Sequence, residues 1–208
     1  MTTSLNLRPV IAQLSKAPIP GRVKTRMQPF LSEDQSAQLH CWLTEKVVRE
    51  FSGQANWDFQ LWVDEPHPFF DKLKNNYGIK LFKQCSGDLG QRLEAIAETN
   101  RNAPLVLIGS DCPFLLQEHV QGVLRRLQVD DADAALIPAE DGGYVCLATK
   151  RFSPTLFCDI DWGTERVAEQ TCQRAKEAGL TIIGEDALTD IDRPGDLEAL
   201  AEFKLKFW

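Results

Sequence analysis

The chain has 208 residues, 43% of them hydrophobic and 25% charged, with a formal net charge of -7 at pH 7. That length supports a core without disulfides or structural metal, and a single domain over residues 1–208 accounts for all of it. The acidic balance argues against nucleic-acid binding, which needs a basic face along a phosphate track, and no apolar run approaches the roughly 20 residues of a membrane span.

Residues 10–14 are an apolar run that reads as a buried first strand. The twelve residues after Ser15, from Lys16 to Met27, place Lys16, Arg22, Lys24 and Arg26 in a loop bent by Pro18, Pro20 and Gly21. In an open α/β sheet the loop leaving the first strand's carboxyl end is where a nucleotide's phosphates sit, so an anionic, phosphorylated ligand is expected. Ser32 with Gln35 forms a capping-box pattern, and Leu39, Leu43, Val47 and Phe51 repeat at helical spacing until Gly53. Residues 58–63 read as a strand, 69–76 as a short helix closed by Gly78, and 79–82 as a third strand.

A helix is predicted over residues 89–101, and Pro104 then introduces the apolar run 105–108, typical of a central parallel strand. Val120, Val123, Leu124 and Leu127 mark the next helix. Residues 134–138 and 144–148 are strand-like around the turn Glu140-Asp141-Gly142-Gly143, as a hairpin or as two strands about a loop. Ala168, Cys172 and Ala175 lie on a further helix, 181–183 form a last strand, and 194–203 a terminal helix. Alternation of this kind implies a three-layer α/β/α fold with a mostly parallel sheet and a ligand crevice at the strands' carboxyl ends.

Six cysteines are scattered without a Cys-x-x-Cys pair, which reads as reduced thiols, and His40, His67 and His119 read as ordinary surface or helix residues. Residues 1–7 lack the basic start and apolar stretch of a secretory signal, so a soluble cytoplasmic protein is expected.

Asp111 leads the candidates for chemistry, because Gly109-Ser110-Asp111-Cys112-Pro113 leaves the most buried strand and turns toward a helix. A carboxylate there faces the crevice and suits Mg²⁺ or Mn²⁺. Its other reading is a cap for that helix, with Pro113 in the first turn. Asp190 and Asp192, two residues apart, point to one side of an extended segment and share a cation, or Asp192 caps the terminal helix.

Arg22, Lys24 and Arg26 alternate, so a near-extended loop aims them together at phosphate oxygens. Neither the Walker pattern nor the dinucleotide glycine fingerprint is present. Asp141 can meet substrate hydroxyls or act as a base, Arg92 can reach the crevice, and Trp162 reads as core ahead of a stacking platform.

Together these segments resemble the GT-A-fold glycosyltransferase-like family known as domain of unknown function 2064, relatives of the nucleotide-diphospho-sugar transferases and small nucleotidyltransferases. The matching pieces are Lys16-Ala17-Pro18-x-Pro20-Gly21-Arg22-x-Lys24-Thr25-Arg26, Gly87-Asp88-Leu89-Gly90-x-Arg92, Gly109 to Pro113, Asp141 to Tyr144, Trp162, and Asp190-Ile191-Asp192-x-Pro194-x-Asp196-Leu197. The resemblance implies a Rossmann-like, mixed sheet of about seven strands and a nucleotide-binding set of Lys16, Gly21, Arg22, Lys24, Arg26 and Arg92. It further implies Asp111, Asp190 and Asp192 as metal ligands for Mg²⁺ or Mn²⁺, with Asp111, Asp141 and Lys24 catalytic.

The implied activity is metal-dependent glycosyl transfer from an NDP-sugar to an acceptor that the sequence leaves open. Two alternatives stand beside it: nucleotidyl transfer from an NTP with pyrophosphate leaving, and a non-catalytic nucleotide-binding module. Glycosyltransferases of this fold carry Asp-x-Asp after the central strand, whereas this chain has Pro113 in the second position. Phe203, Phe207 and Trp208 offer a surface for a homodimer or a cluster that folds back on the core.

Overall fold

The structure is a computed structural model that describes residues 7–203. Phe207, Trp208 and the first six residues, on which the dimer and signal readings partly rest, lie outside them. Seven strands form one sheet: β1 (Val10–Ser15), β2 (Asp58–Val63), β3 (Lys80–Lys83), β4 (Leu105–Ile108), β5 (Ala134–Pro138), β6 (Tyr144–Thr149) and β7 (Ile182–Gly184). Between them run α1 (Glu33–Phe51), α2 (Pro68–Tyr77), α3 (Leu89–Thr99), α4 (Gln117–Val129) and α5 (Val167–Glu177).

The strand order is β3-β2-β1-β4-β6-β5-β7. Strands β3, β2, β1 and β4 are parallel, β6 runs antiparallel between β4 and β5, and β7 pairs parallel with β5. Residues 134–138 and 144–149 are thus a hairpin, with an irregular register at Ile137 and Pro138. Because β6 enters from the edge at which β4 leaves, the hairpin turn and the loops after β1 and β4 gather at one end of the sheet.

Strand alternation divides the core. Ile11, Val106 and Ile108 pack with Val47 and Phe51 of α1 and Val120 and Val123 of α4, whereas Val10, Ala12, Leu105 and Leu107 pack with Leu93 and Ile96 of α3 and Ala175 of α5. The central strands β4 and β1 are buried on both faces and read as apolar runs, that of β1 with one interruption. Gln13 breaks that run and is fully buried.

The capping box at α1 is formed as the sequence predicts: Ser32 Oγ accepts from Gln35 N at 3.2 Å, and Gln35 Oε1 accepts from Ser32 N at 2.9 Å. A second one opens α3, where Asp88 and Gln91 exchange the same bonds. One local expectation is corrected. Helix α4 begins at Gln117, four residues beyond Pro113, so neither Asp111 nor Pro113 caps it. The terminal helix is present over the expected residues, Pro194–Phe203, and is of the 3-10 type. Its Leu200 and Phe203 pack with Met27, Leu39, Leu43 and Ile191, so Phe203 folds onto the body of the protein.

Candidate active site

The basic loop is wound, which corrects the near-extended geometry expected from its alternating cations. Gly21 turns it at φ 78, Lys24 adopts the left-handed conformation at φ 49, and residues Thr25–Met27 make a 3-10 turn. Each cation consequently leaves in its own direction. Arg22 reaches Glu65 at 2.7 Å, Lys24 turns inward to Asp111 Oδ1 at 2.7 Å, and Arg26 meets Asp192 Oδ2 at 2.6 Å. Lys16 is exposed and lines the same crevice as the other three.

Lys24 is the centre of the arrangement. Its side chain is only 2% exposed, and its ammonium donates to the Ile191 carbonyl at 2.5 Å and lies 3.8 Å from Asp192 Oδ1. The acids it meets come from two different loops. Asp111 follows β4, Asp190 and Asp192 precede the 3-10 helix, and Ile191 N donates to Asp111 O at 2.9 Å, fastening one loop to the other. Ile191 is fully buried between the two aspartates, so Asp190 and Asp192 both border one cavity. Asp196 Oδ2 accepts from the backbone of Asp192 and Arg193, which leaves the Asp192 carboxylate to the cations.

The electrostatics follow from that packing. Burial works to raise the Asp111 carboxyl, but Lys24 outweighs it with help from His40, and the group titrates below its ordinary value. Asp190 has no ion pair of this kind among the described residues, and Lys24 acts on it only as a minor influence. Burial, with Asp141 and Asp111 adding like charge, pushes its carboxyl up to about 6.

Two cavities meet at this point. One, of about 440 Å³, is bordered by Lys16, Arg22, Lys24, Arg26, His40 and Arg92; the other, of about 300 Å³, by Leu93, Leu107, Tyr144, Trp162, Asp141 and Asp190. Arg26, Leu89, Asp111 and Asp192 border both. The first has the character of an anion site and the second an apolar body with an acidic end. Asp141 Oδ1 accepts from Gly143 N at 2.9 Å, holding the hairpin turn over the apolar cavity. Trp162 forms part of that cavity's wall as well as packing against the core, and Gly90 in α3 makes room for it: a Cβ there would collide with Trp162 Nε1. Arg92 Nε donates to Gly87 O at 3.0 Å, and its Nη1 reaches Gln84 Oε1 at 3.4 Å.

Four residues that support this edge went unread as site residues. Gln13 Nε2 donates to Ser110 Oγ at 2.9 Å, and Ser110 Oγ donates to Leu14 O at 2.8 Å, locking the end of β1 to the loop carrying Asp111. Gln84 Nε2 donates to Ser15 O and Trp62 O, spanning the ends of β1 and β2. His40 is the clearest correction: it is 5% exposed and borders the basic cavity, with Nε2 on the Lys16 carbonyl at 2.9 Å. A polar Gln13 inside an apolar strand was the available signal; His40 carried none, because it shares a helix face with ordinary core residues. His67 and His119 do cap helices, each through Nδ1.

A divalent cation would find hard oxygen donors in Asp111, Asp190 and Asp192, which border a common cavity. Among the described residues no three histidine, cysteine or carboxylate side chains are grouped as a ready metal cage. By chemistry alone, three carboxylates are donors of the kind an oxygen-seeking ion takes, with other oxygens needed to fill its remaining positions.

A sequence profile of the bacterial family described as "Uncharacterized protein conserved in bacteria (DUF2064)" matches residues 47–164. Among solved structures, the chain is similar to a candidate nucleotide-diphospho-sugar transferase from Desulfovibrio desulfuricans G20, with a TM-score of 0.83 and 26% identity over 94% of this chain and 87% of that one. CMP:2-keto-3-deoxy-manno-octonic acid synthetase complexed with CTP gives a TM-score of 0.61 at 13% identity, covering 96% of this chain and 100% of that one. Glucosyl-3-phosphoglycerate synthase from Mycobacterium tuberculosis, in complex with Mn²⁺, UDP and glucosyl-3-phosphoglycerate, gives 0.59 at 9% identity, covering 93% and 75%. The last two likenesses are of fold alone, and the fold is that of the nucleotide-diphospho-sugar transferases. No curated protein matches the chain.

Proposed function

The chain belongs to the DUF2064 family, and from its site we propose that it is a metal-dependent transferase that uses a nucleotide-activated donor and moves a sugar from an NDP-sugar to an acceptor hydroxyl. The observation that carries this reading is the junction of a basic and an apolar cavity at Asp111, Asp192 and Arg26. A donor needs its diphosphate gripped on one side of the breaking bond and its sugar and acceptor held on the other. Lys16, Arg22, Arg26 and Arg92 grip the phosphates in the basic cavity, and Lys24 adds a buried charge where the leaving group develops its own. Gly21 shapes the loop that carries them.

Asp111, Asp190 and Asp192 would hold Mg²⁺ or Mn²⁺, and such an ion supplies positive charge against the diphosphate when bound. Asp141 touches sugar or acceptor, and Trp162 and Tyr144 give the acceptor's body an apolar wall. The whole chain acts as one transferase domain in the cytoplasm. Among the described residues no helix is long and apolar enough to cross a membrane.

Nucleotidyl transfer is the second reading, favoured by the single carboxylate after β4, where Pro113 stands in place of the second acid of an Asp-x-Asp motif. Incubation with Mn²⁺ and panels of NDP-sugars and NTPs separates the two: free NDP supports glycosyl transfer, and pyrophosphate supports nucleotidyl transfer. Neither product across both panels would leave a non-catalytic nucleotide-binding module.

A further inference from the structure

Lys24 and Arg26 stand on the carboxylates that a divalent cation would need. Lys24 Nζ is 2.7 Å from Asp111 Oδ1 and 3.8 Å from Asp192 Oδ1, while Arg26 Nη1 takes Asp192 Oδ2 at 2.6 Å. We infer that these two side chains form a displaceable plug, so that the ligand this site takes up is a divalent cation together with a diphosphate, and not the cation alone. The inference rests on the transferase reading above.

Charge balance gives the reason. Two side-chain cations already neutralise two carboxylates, so a divalent ion entering alone meets an ammonium and a guanidinium within a few ångströms of its own ligands. At partly buried positions like charges that close repel strongly. A diphosphate removes the conflict, because its oxygens accept from both side chains, and guanidinium and ammonium are both phosphate binders.

Geometry permits the exchange. Both side chains border the basic cavity. Arg26 is half exposed and can turn without disturbing the core. Lys24 is held from beneath by the Ile191 carbonyl at 2.5 Å and keeps that bond while it trades Asp111 for phosphate. Of its three ammonium protons, two have partners within hydrogen-bonding distance among the described residues, Ile191 O and Asp111 Oδ1.

The test is equilibrium dialysis of the full chain with Mn²⁺, alone and with labelled inorganic pyrophosphate, which is the diphosphate core common to every donor considered. The wild type is expected to retain Mn²⁺ weakly alone and about tenfold more tightly with pyrophosphate, within the ordinary range of coupling between two ligands. Lys24→Met, which removes the charge from a buried position while keeping its bulk, should bind Mn²⁺ alone about tenfold more tightly than the wild type.

If pyrophosphate binds but Mn²⁺ affinity is the same with and without it, or if Lys24→Met gains nothing, the plug is wrong and the transferase reading survives. If pyrophosphate fails to bind with or without Mn²⁺, both fall. Should Lys24→Met not fold, Arg26→Gln at the half-exposed position gives the same comparison, with a gain in metal-alone binding expected and its absence decisive.

Discussion

The Lys24 ammonium lies 2.7 Å from Asp111 Oδ1, yet the lysine side chain is 2% exposed and that of the aspartate 45%. One partner is sealed beneath the loop while the other still reaches the crevice. A sealed ammonium with no partner would be costly, so the pair explains how a non-glycine residue keeps φ 49 at the heart of the basic loop. It also ties the loop after β1 to the loop after β4, two of the segments that border both cavities.

Removing that ammonium should therefore destabilise the fold. Lys24→Ala leaves Asp111 short of its main partner, and a loss of about 2 kcal/mol is expected in urea unfolding, less than for a fully buried pair because Asp111 keeps access to water. Lys24→Ala combined with Asp111→Asn should lose clearly less than the sum of the two single changes. Strict additivity would show that the contact does no stabilising work.

Gly90 and Gly122 should respond to alanine in opposite directions. A Cβ on Gly90 meets Trp162 Nε1 and, at 3.0 Å, the Phe157 carbonyl, so Gly90→Ala is expected to cost about 1–3 kcal/mol and to change the near-ultraviolet circular dichroism of Trp162. Gly122, inside α4, has nothing within 4 Å of the same atom, and Gly122→Ala should gain about 0.5–1 kcal/mol. Thermal melts of both variants decide the matter, and a stable Gly90→Ala would mean that Trp162 is not held against α3.

The buried imidazole of His40 predicts a pH dependence. Burial, working against the pull of Asp111, holds His40 below its ordinary value, so the folded chain binds that proton less readily than the unfolded chain. Stability is then full above the unfolded histidine value of about 6.5 and is lost as pH falls through it. Between about pH 7.5 and about pH 5.5 the wild type should lose on the order of 1 kcal/mol more than His40→Gln, which keeps a donor for the Lys16 carbonyl. Parallel loss in both proteins would remove His40 from the account.

Chelation and the site acids offer a functional check. With the donor that proves active, EDTA should abolish turnover and Mn²⁺ restore it. Asp111→Asn should lower kcat by about 100-fold, the scale of losing one preorganised electrostatic contribution. Trp162→Ala should instead raise the acceptor KM more than the donor KM, because Trp162 borders the apolar cavity and not the basic one that grips the diphosphate. Equal effects of Trp162→Ala on donor and acceptor would contradict the division of labour between the two cavities.

The layers of the fold were legible in the residues themselves. Residues 105–108 announce a strand buried on both faces, the Ser32 and Gln35 pair announces a helix start, and strand–helix alternation announces a sheet with a crevice at its carboxyl edge. These are local or periodic signals, set by burial and by backbone hydrogen bonding within a few residues. The charged side chains just past the strand ends were legible as candidates, although a carboxylate in such a place reads equally well as a helix cap.

Tertiary structure alone decided how those charges pair. Arg22, Lys24 and Arg26 alternate in sequence, but a left-handed turn at Lys24 sends one to Glu65, one beneath the loop to Asp111 and one to Asp192, which lies 166 residues beyond Arg26. Gln13, His40, Gln84 and Ser110 likewise gain their roles from strand ends that meet only when β1 lies between β2 and β4. Period and propensity are properties of neighbouring residues; which ammonium neutralises which carboxylate depends on where the loops close, and only the packed sheet fixes that.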